Sequence, residues 1–260
     1  MERSETFDGR RFCRYFSYEV KKTVRGQGLF ILLASLVPAM LFLFYGLISL
    51  SVKDQTAKME VWSSLPLFKV LIAAIVFVLF FLIFPILRYG HLTAKTDGKE
   101  EILLPVSSGE KFLSMILVSL VVVPLVFMGI YFTTDLIFTQ FTPVIDVALF
   151  KGLIGQGPLS TDETYYSIDN IYVFFYPYMV TAAGLAGGLV FKKHKIAFTF
   201  LTCTVLFILF YAIILNTVFM KGYEPVDIAK YMIPVWSAIQ TVVAIACCTV
   251  VWSRIKRIQL

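Results

Sequence analysis

The chain has 260 residues, of which 58% are hydrophobic and 15% charged, with a mean hydropathy of +0.82 and a formal net charge of +6. A soluble domain carries roughly 25% charged residues, so a chain this apolar cannot keep its surface wet and must use lipid as solvent for much of its length. Cysteine spacing excludes a CxxC redox pair or a zinc site, and Cys203, Cys247 and Cys248 fall inside apolar blocks, where Cys packs as a small hydrophobe.

From the N-terminus, Met1–Gln27 holds seven Lys or Arg and no small-residue cleavage site, so it does not read as a secretory signal. Phe12, Phe16, Val20 and Val24 recur every four positions, which predicts one apolar stripe on a helix over 10–25. Such a helix lies in the membrane interface, apolar side down, with Arg11, Arg14, Lys21, Lys22 and Arg25 among anionic headgroups. Gly26 and Gly28 are expected to end it and to bend the chain into the first span. The division is therefore a cytoplasmic interfacial helix over 1–28 and a transmembrane domain over 29–260.

A membrane helix needs about 20 apolar residues to cross a hydrocarbon core about 30 Å thick. Six stretches qualify, at about 29–50, 67–88, 112–133, 171–191, 196–216 and 233–252. The expected fold is thus an all-α integral membrane protein of six transmembrane helices, since lipid leaves no partner for an unpaired backbone. Lys69, at the edge of the second stretch, is expected to snorkel to the interface. Alternate crossings would put 17 of the 23 Lys and Arg on the N-terminal side, which predicts that both termini are cytoplasmic.

Between the second and third spans, Asp97-Gly98 predicts a turn and Pro105 the end of any helix through Glu100–Leu104. Ser107 or Ser108 is placed to cap the next helix. Ile102, Leu103 and Leu104 beside Glu100 and Glu101 form either a protein-docking tip or residues dipping into the interface. The outer segment Thr133–Asn170 is acidic, and Thr142-Pro143 is a reasonable start for a short surface helix over Val144–Leu153.

Motifs for chemistry are missing from the sequence. There is no GxxxxGK[ST] phosphate loop and no HExxH, so neither catalysis nor a metal or cofactor is expected. The cores of the six blocks are also free of ionisable residues, which ion-coupled carriers keep at depth, so energy for transport would have to come from a partner. Gln240 reads as packing glue. Ala183, Gly184, Gly187 and Gly188 place small residues four apart on the fourth span, for close approach of a helix of this chain or of a second copy. Pro38, Pro85, Pro124, Pro177 and Pro234 put a proline in every span but the fifth.

The stretch Leu104-Pro105-Val106-Ser107, followed by Glu110-Lys111-Phe112-Leu113, together with the basic amphipathic start and the six-span layout, resembles the membrane subunits of type-2 ATP-binding-cassette transporters. It is especially similar to small permease-like proteins of Bacteroidetes-type bacteria. The resemblance implies a bacterial inner-membrane exporter subunit that pairs with a second permease copy, alike or different. It further implies a separate nucleotide-binding ATPase docking on 97–111, through Glu100, Glu101, Leu104, Pro105, Ser107, Glu110 and Lys111. The outer segment before the fourth span is longer than that family's pattern, and Lys221–Lys230 shows no re-entrant pair. A non-transporting membrane scaffold or regulatory protein is the alternative that the same composition allows.

Overall fold

The computed structural model describes residues 7–93, 106–142, 171–221 and 225–259, with the side chains of 171–176, 209–211, 213–237 and 258–259 excepted. Among the described residues every regular element is a helix: α1 (Gly9–Ser35), α2 (Val37–Ser51), α3 (Gln55–Ser63), α4 (Leu65–Tyr89), α5 (Ser108–Leu117), α6 (Val123–Thr139), α7 (Ile171–Val190), α8 (Lys195–Lys221) and α9 (Pro225–Gln259). A 3-10 turn at Gly90–Thr93 follows α4, and a π-helical turn at Val118–Val122 joins α5 to α6. The expected helix over Val144–Leu153 lies outside the described residues.

Among the described residues three stretches are long and apolar enough to cross a bilayer, namely Gln55–Thr93, Ser108–Thr139 and Ala238–Arg257, with a fourth if the bent pair α1 and α2 counts as one span. Pro177–Val190 and Lys195–Ile208 are shorter apolar helices. These helices leave many large apolar side chains uncovered, among them Leu47, Leu50 and Leu67. An exposed apolar surface on that scale is that of a protein solvated by lipid.

The proline and glycine positions explain where the helices bend and touch. α1 does not end at Gly26 or Gly28; it runs unbroken to Ser35 and bends by 43° into α2. Pro38 causes that bend, because it has no N–H to donate and its ring crowds the carbonyl four residues back. Pro124 likewise cannot donate to Leu120, and the helix takes up its π turn directly before it. α3 was not foreseen: Asp54 caps it, accepting from the Thr56 amide at 3.3 Å and hydroxyl at 2.6 Å.

The chain divides into two compact units, one of residues 1–21, 80–120 and 171–260, the other of residues 22–79 and 121–170. In the first, Tyr89, Met115, Leu185, Leu189, Val251 and Ile255 form the core, backed by Leu92, Phe112, Ile116 and Ala186. These residues lie toward the C-terminal ends of α4, α7 and α9 and in the second half of α5. Lys195, which begins α8, donates from Nζ to the Gly90 carbonyl and the Thr93 hydroxyl. His194 takes a φ of 46° in the short turn that returns the chain from α7 to α8. The ends of these helices therefore gather at one end of the unit.

α7 packs on its neighbours through its small residues. A Cβ at Gly184 would lie 2.5 Å from the Leu82 carbonyl oxygen and 2.7 Å from Pro85 Cγ, and one at Gly188 would lie 3.3 Å from Ile86 Cα. Gly187 faces Thr199 of α8, where a Cβ would overlap the threonine side chain. Ala183 is half-buried beside them. The small-residue spacing thus serves contacts within this chain, α7 with α4 on one side and with α8 on the other.

In the second unit Phe42 packs between Trp62 and Phe138, with ring centroids 5.5 and 5.1 Å away. Phe77 packs against Phe127 and Tyr131 at 5.3 and 5.2 Å. Lys69 does not snorkel: it is 4% exposed and its ammonium lies 3.3 Å from Asp135. Burial of both groups makes mutual neutralisation cheaper than carrying one charge alone through an apolar surround.

Gly184→Val should force α7 away from α4 and cost about 1–3 kcal/mol or more, whereas Gly129→Ala, with open space around it, should stabilise α6 by about 0.5–1 kcal/mol. Thermal unfolding of the detergent-solubilised protein distinguishes the two; equal effects would contradict the close approach.

Candidate functional site

A candidate site lies at the start of α5. Ser107 is its N-cap and accepts from the Glu110 amide at 3.3 Å, while Glu110 Oε2 accepts from the Ser107 amide at 3.1 Å. This reciprocal capping box satisfies two of the amides that a helix start leaves without partners. Val106 packs inward just before it.

The same carboxylate has a second use. Glu110 Oε1 accepts from the Asp8 amide at 2.8 Å and from an Arg11 terminal nitrogen at 2.7 Å. Arg11 Nε completes the fork, 2.8 Å from Oε2 and 3.1 Å from Oε1. Glu110 is wholly buried, and Arg11 is 28% exposed. An ionised carboxylate offers about four acceptor positions. Two amides and a bidentate guanidinium fill them, so this charge is buried with its hydrogen bonds made. Hydrogen bonding to Glu110 raises Arg11 above its usual range, against the lowering effect of burial, with the charges of Glu110 and Asp8 adding to the rise.

Two turns further along α1, the Glu19 carboxylate lies 2.8 Å from an Arg88 terminal nitrogen, with both side chains buried. The Arg88 guanidinium carbon also sits 5.1 Å from the centroid of the Tyr89 ring. Eight residues separate Arg11 from Glu19, a rise of about 12 Å. Two ion pairs of opposite sense therefore fix the N-terminal part of α1, one to the start of α5 and one to the end of α4. Tyr15, Glu19 and Thr23, spaced four apart, are its buried face.

The expected site residues fall in three groups. Ser107, Glu110 and Lys111 come together here, but Glu110 and Lys111 are buried within the chain rather than presented on a docking surface. The Glu110 carboxylate organises the start of α5, and neither side chain is exposed. Glu100, Glu101, Leu104 and Pro105 lie outside the described residues. The predicted stripe flanks the buried face, with Phe12, Phe16 and Val20 half-buried and Val24 61% exposed. Phe12 and Phe16 stack at 6.0 Å.

Sequence reasoning missed Asp8, Arg11, Glu19 and Arg88 as a set. One signal was available: Glu19 is the only acid between Gly9 and Lys53, in a strongly basic segment. Among the described residues no cluster of three or more His, Cys, Asp or Glu is arranged to hold a metal ion. No protein-family model, curated protein or solved structure matches the chain.

Removing one partner of a buried, fully hydrogen-bonded pair costs about 3–5 kcal/mol, because the other charge is left buried. Glu110→Ala is expected to cost that much and Arg11→Ala less, as Arg11 keeps some solvent. The double substitution should cost clearly less than the sum of the two. Unfolding of the solubilised variants measures this; strict additivity would show that the pair contributes nothing beyond its separate residues.

Proposed function

We propose that this chain is the permease subunit of an ATP-binding-cassette exporter in a bacterial cytoplasmic (inner) membrane, powered by a separate ATPase that docks on loop 97–111. In this reading the chain crosses the membrane six times with both termini in the cytoplasm, and two permease copies, alike or different, enclose the pathway. The observation that carries the reading is the Glu110 carboxylate. It caps the helix that leaves the loop and, through Arg11 and the Asp8 amide, holds the N-terminal helix.

The mechanical consequence is direct. A push on the loop enters α5 at its capped first turn and continues along one helical path through the π turn into α6. The same push reaches α1 through Glu110, and α1 passes it to the end of α4 through Glu19 and Arg88. Leu104-Pro105-Val106-Ser107 supports the docking role by its resemblance to the coupling segment of type-2 subunits. In this reading Glu100 and Glu101 meet the ATPase while Glu110 and Lys111 stay inside and transmit.

Alternate crossings are supported by the gathering of helix ends at one end of the first unit. They are also supported by the excess of Lys and Arg in the segments at that end, since basic loops remain on the cytoplasmic side. Among the described residues Lys69 with Asp135 and Glu19 with Arg88 are buried, neutralising pairs.

Two measurements test this. Single cysteines replacing Gly98 and Gly157 should react with impermeant reagents from opposite faces of an intact membrane; reaction from one face would overturn the six crossings. The chain should also co-purify with a nucleotide-binding ATPase from its native membrane, and Pro105→Ala with Glu100→Lys should weaken that complex or lower its ATP turnover. Unchanged complex formation and turnover would remove the docking role and favour a non-transporting scaffold.

A further inference from the structure

The outward face of α1 changes character along a single line. Between Gly9 and Arg25 its exposed side chains include Arg10, Arg14, Tyr18, Lys21 and Arg25, three or four residues apart. One turn on, the same line continues as Leu29, 71% exposed, and Leu32, 44% exposed. Residues at that spacing share one face of a helix, and α1 is unbroken across the change. The surface thus passes from cations to bare leucine within one turn.

The cations on this line have no acid within ion-pair range among the described residues. By contrast, Arg11 and Arg88, off the line, are both paired with glutamates. Among the described residues, then, none neutralises Arg10, Arg14, Lys21 or Arg25. Leu29 and Leu32 say what lies along that line, because a face that meets hydrocarbon at Leu29 meets headgroups just before it. A helix rises 1.5 Å per residue, so Arg25 is about 6 Å and Lys21 about 12 Å from Leu29 along its axis. Each headgroup layer is about 5–8 Å deep, and a tilted helix with long cationic side chains brings both residues to its phosphates. Arg14 and Arg10 lie about 22 and 28 Å from Leu29, beyond that layer.

We propose that Lys21 and Arg25 form a binding site for the phosphate headgroups of anionic phospholipids, which fixes the depth at which α1 enters the bilayer. The site differs from the apolar stripe at Phe12, Phe16 and Val20. It also stands independently of any transport role, because it depends only on the surface of α1.

The test uses the whole chain in nanodiscs of phosphatidylcholine mixed with phosphatidylglycerol, with retained lipids counted by native mass spectrometry. The wild-type chain should retain phosphatidylglycerol over phosphatidylcholine, and added salt should weaken that preference. Lys21→Gln with Arg25→Gln should reduce it by about fivefold per charge removed, while Arg10→Gln with Arg14→Gln should leave it nearly unchanged. No preference in the wild-type chain, or equal loss from both double variants, would overturn the site. If the glutamine variant does not fold in phosphatidylcholine, the charge-keeping swap Lys21→Arg with Arg25→Lys decides together with the salt series. Retained preference with salt sensitivity supports the site, and a preference indifferent to salt overturns it.

Discussion

A single buried carboxylate joins the start of α5 to the N-terminal part of α1. Glu110 is surrounded by two backbone amides and a forked guanidinium, and it has no remaining acceptor capacity for water. In a low-dielectric surround such an arrangement is all-or-none: complete, it is rigid, and short of one donor it leaves an uncompensated charge. The start of α5, the segment at Asp8 and the first turns of α1 are thereby placed together. The second pair, Glu19 with Arg88, repeats the device two turns along and prevents α1 from pivoting about one point.

Around these pairs the helices come close because the side chains between them are small. Gly184 and Gly188 bring α7 against α4, at distances a Cβ would not tolerate at Gly184. In lipid no hydrophobic force drives helices together, so van der Waals contact and satisfied polar groups must hold them. Close approach of backbones supplies the first, and threonines that donate to their own helix, such as Thr199 to the Lys195 carbonyl at 2.6 Å, meet the second. The π turn before Pro124 sits within a helix that is otherwise regular from Ser108 to Thr139, a local irregularity along the path leading away from the loop.

Charge is thus sorted by environment. Arg88 and Lys69 are buried against acids, whereas Arg10, Arg14, Lys21 and Arg25 are exposed on α1 with no acid in ion-pair range among the described residues. Burial without a partner is the costly state in an apolar surround, and exposure at a membrane surface is the favourable one, where anionic headgroups lower the energy of each Lys or Arg. The same residue type therefore does two jobs. Which job each residue does depends on its position around the helix.

Much of the architecture was legible in the sequence because the bilayer is a demanding solvent. An all-helical chain with several apolar helices of membrane-spanning length, and the Ser107 cap, follow from hydropathy and capping chemistry, which act over neighbouring residues. The small-residue spacing on α7 signalled close packing, but not that Gly184 and Gly188 meet α4 while Gly187 meets Thr199. The bend in α1 is not at its glycines: glycines permit a break but do not force one, and the helix passes Gly26 and Gly28 to turn at Pro38, which lacks an amide donor and crowds the preceding turn. Period-four counting found the stripe of Phe12, Phe16, Val20 and Val24, yet the buried face is its neighbour at Tyr15, Glu19 and Thr23. Only tertiary structure decided that, because Glu19 meets Arg88 across 69 residues, and Arg11 meets Glu110 across 99. Sequence by itself determined which segments require lipid; the fold decided which charges lie inside, since a buried charge is tolerable only where a distant part of the chain delivers its partner.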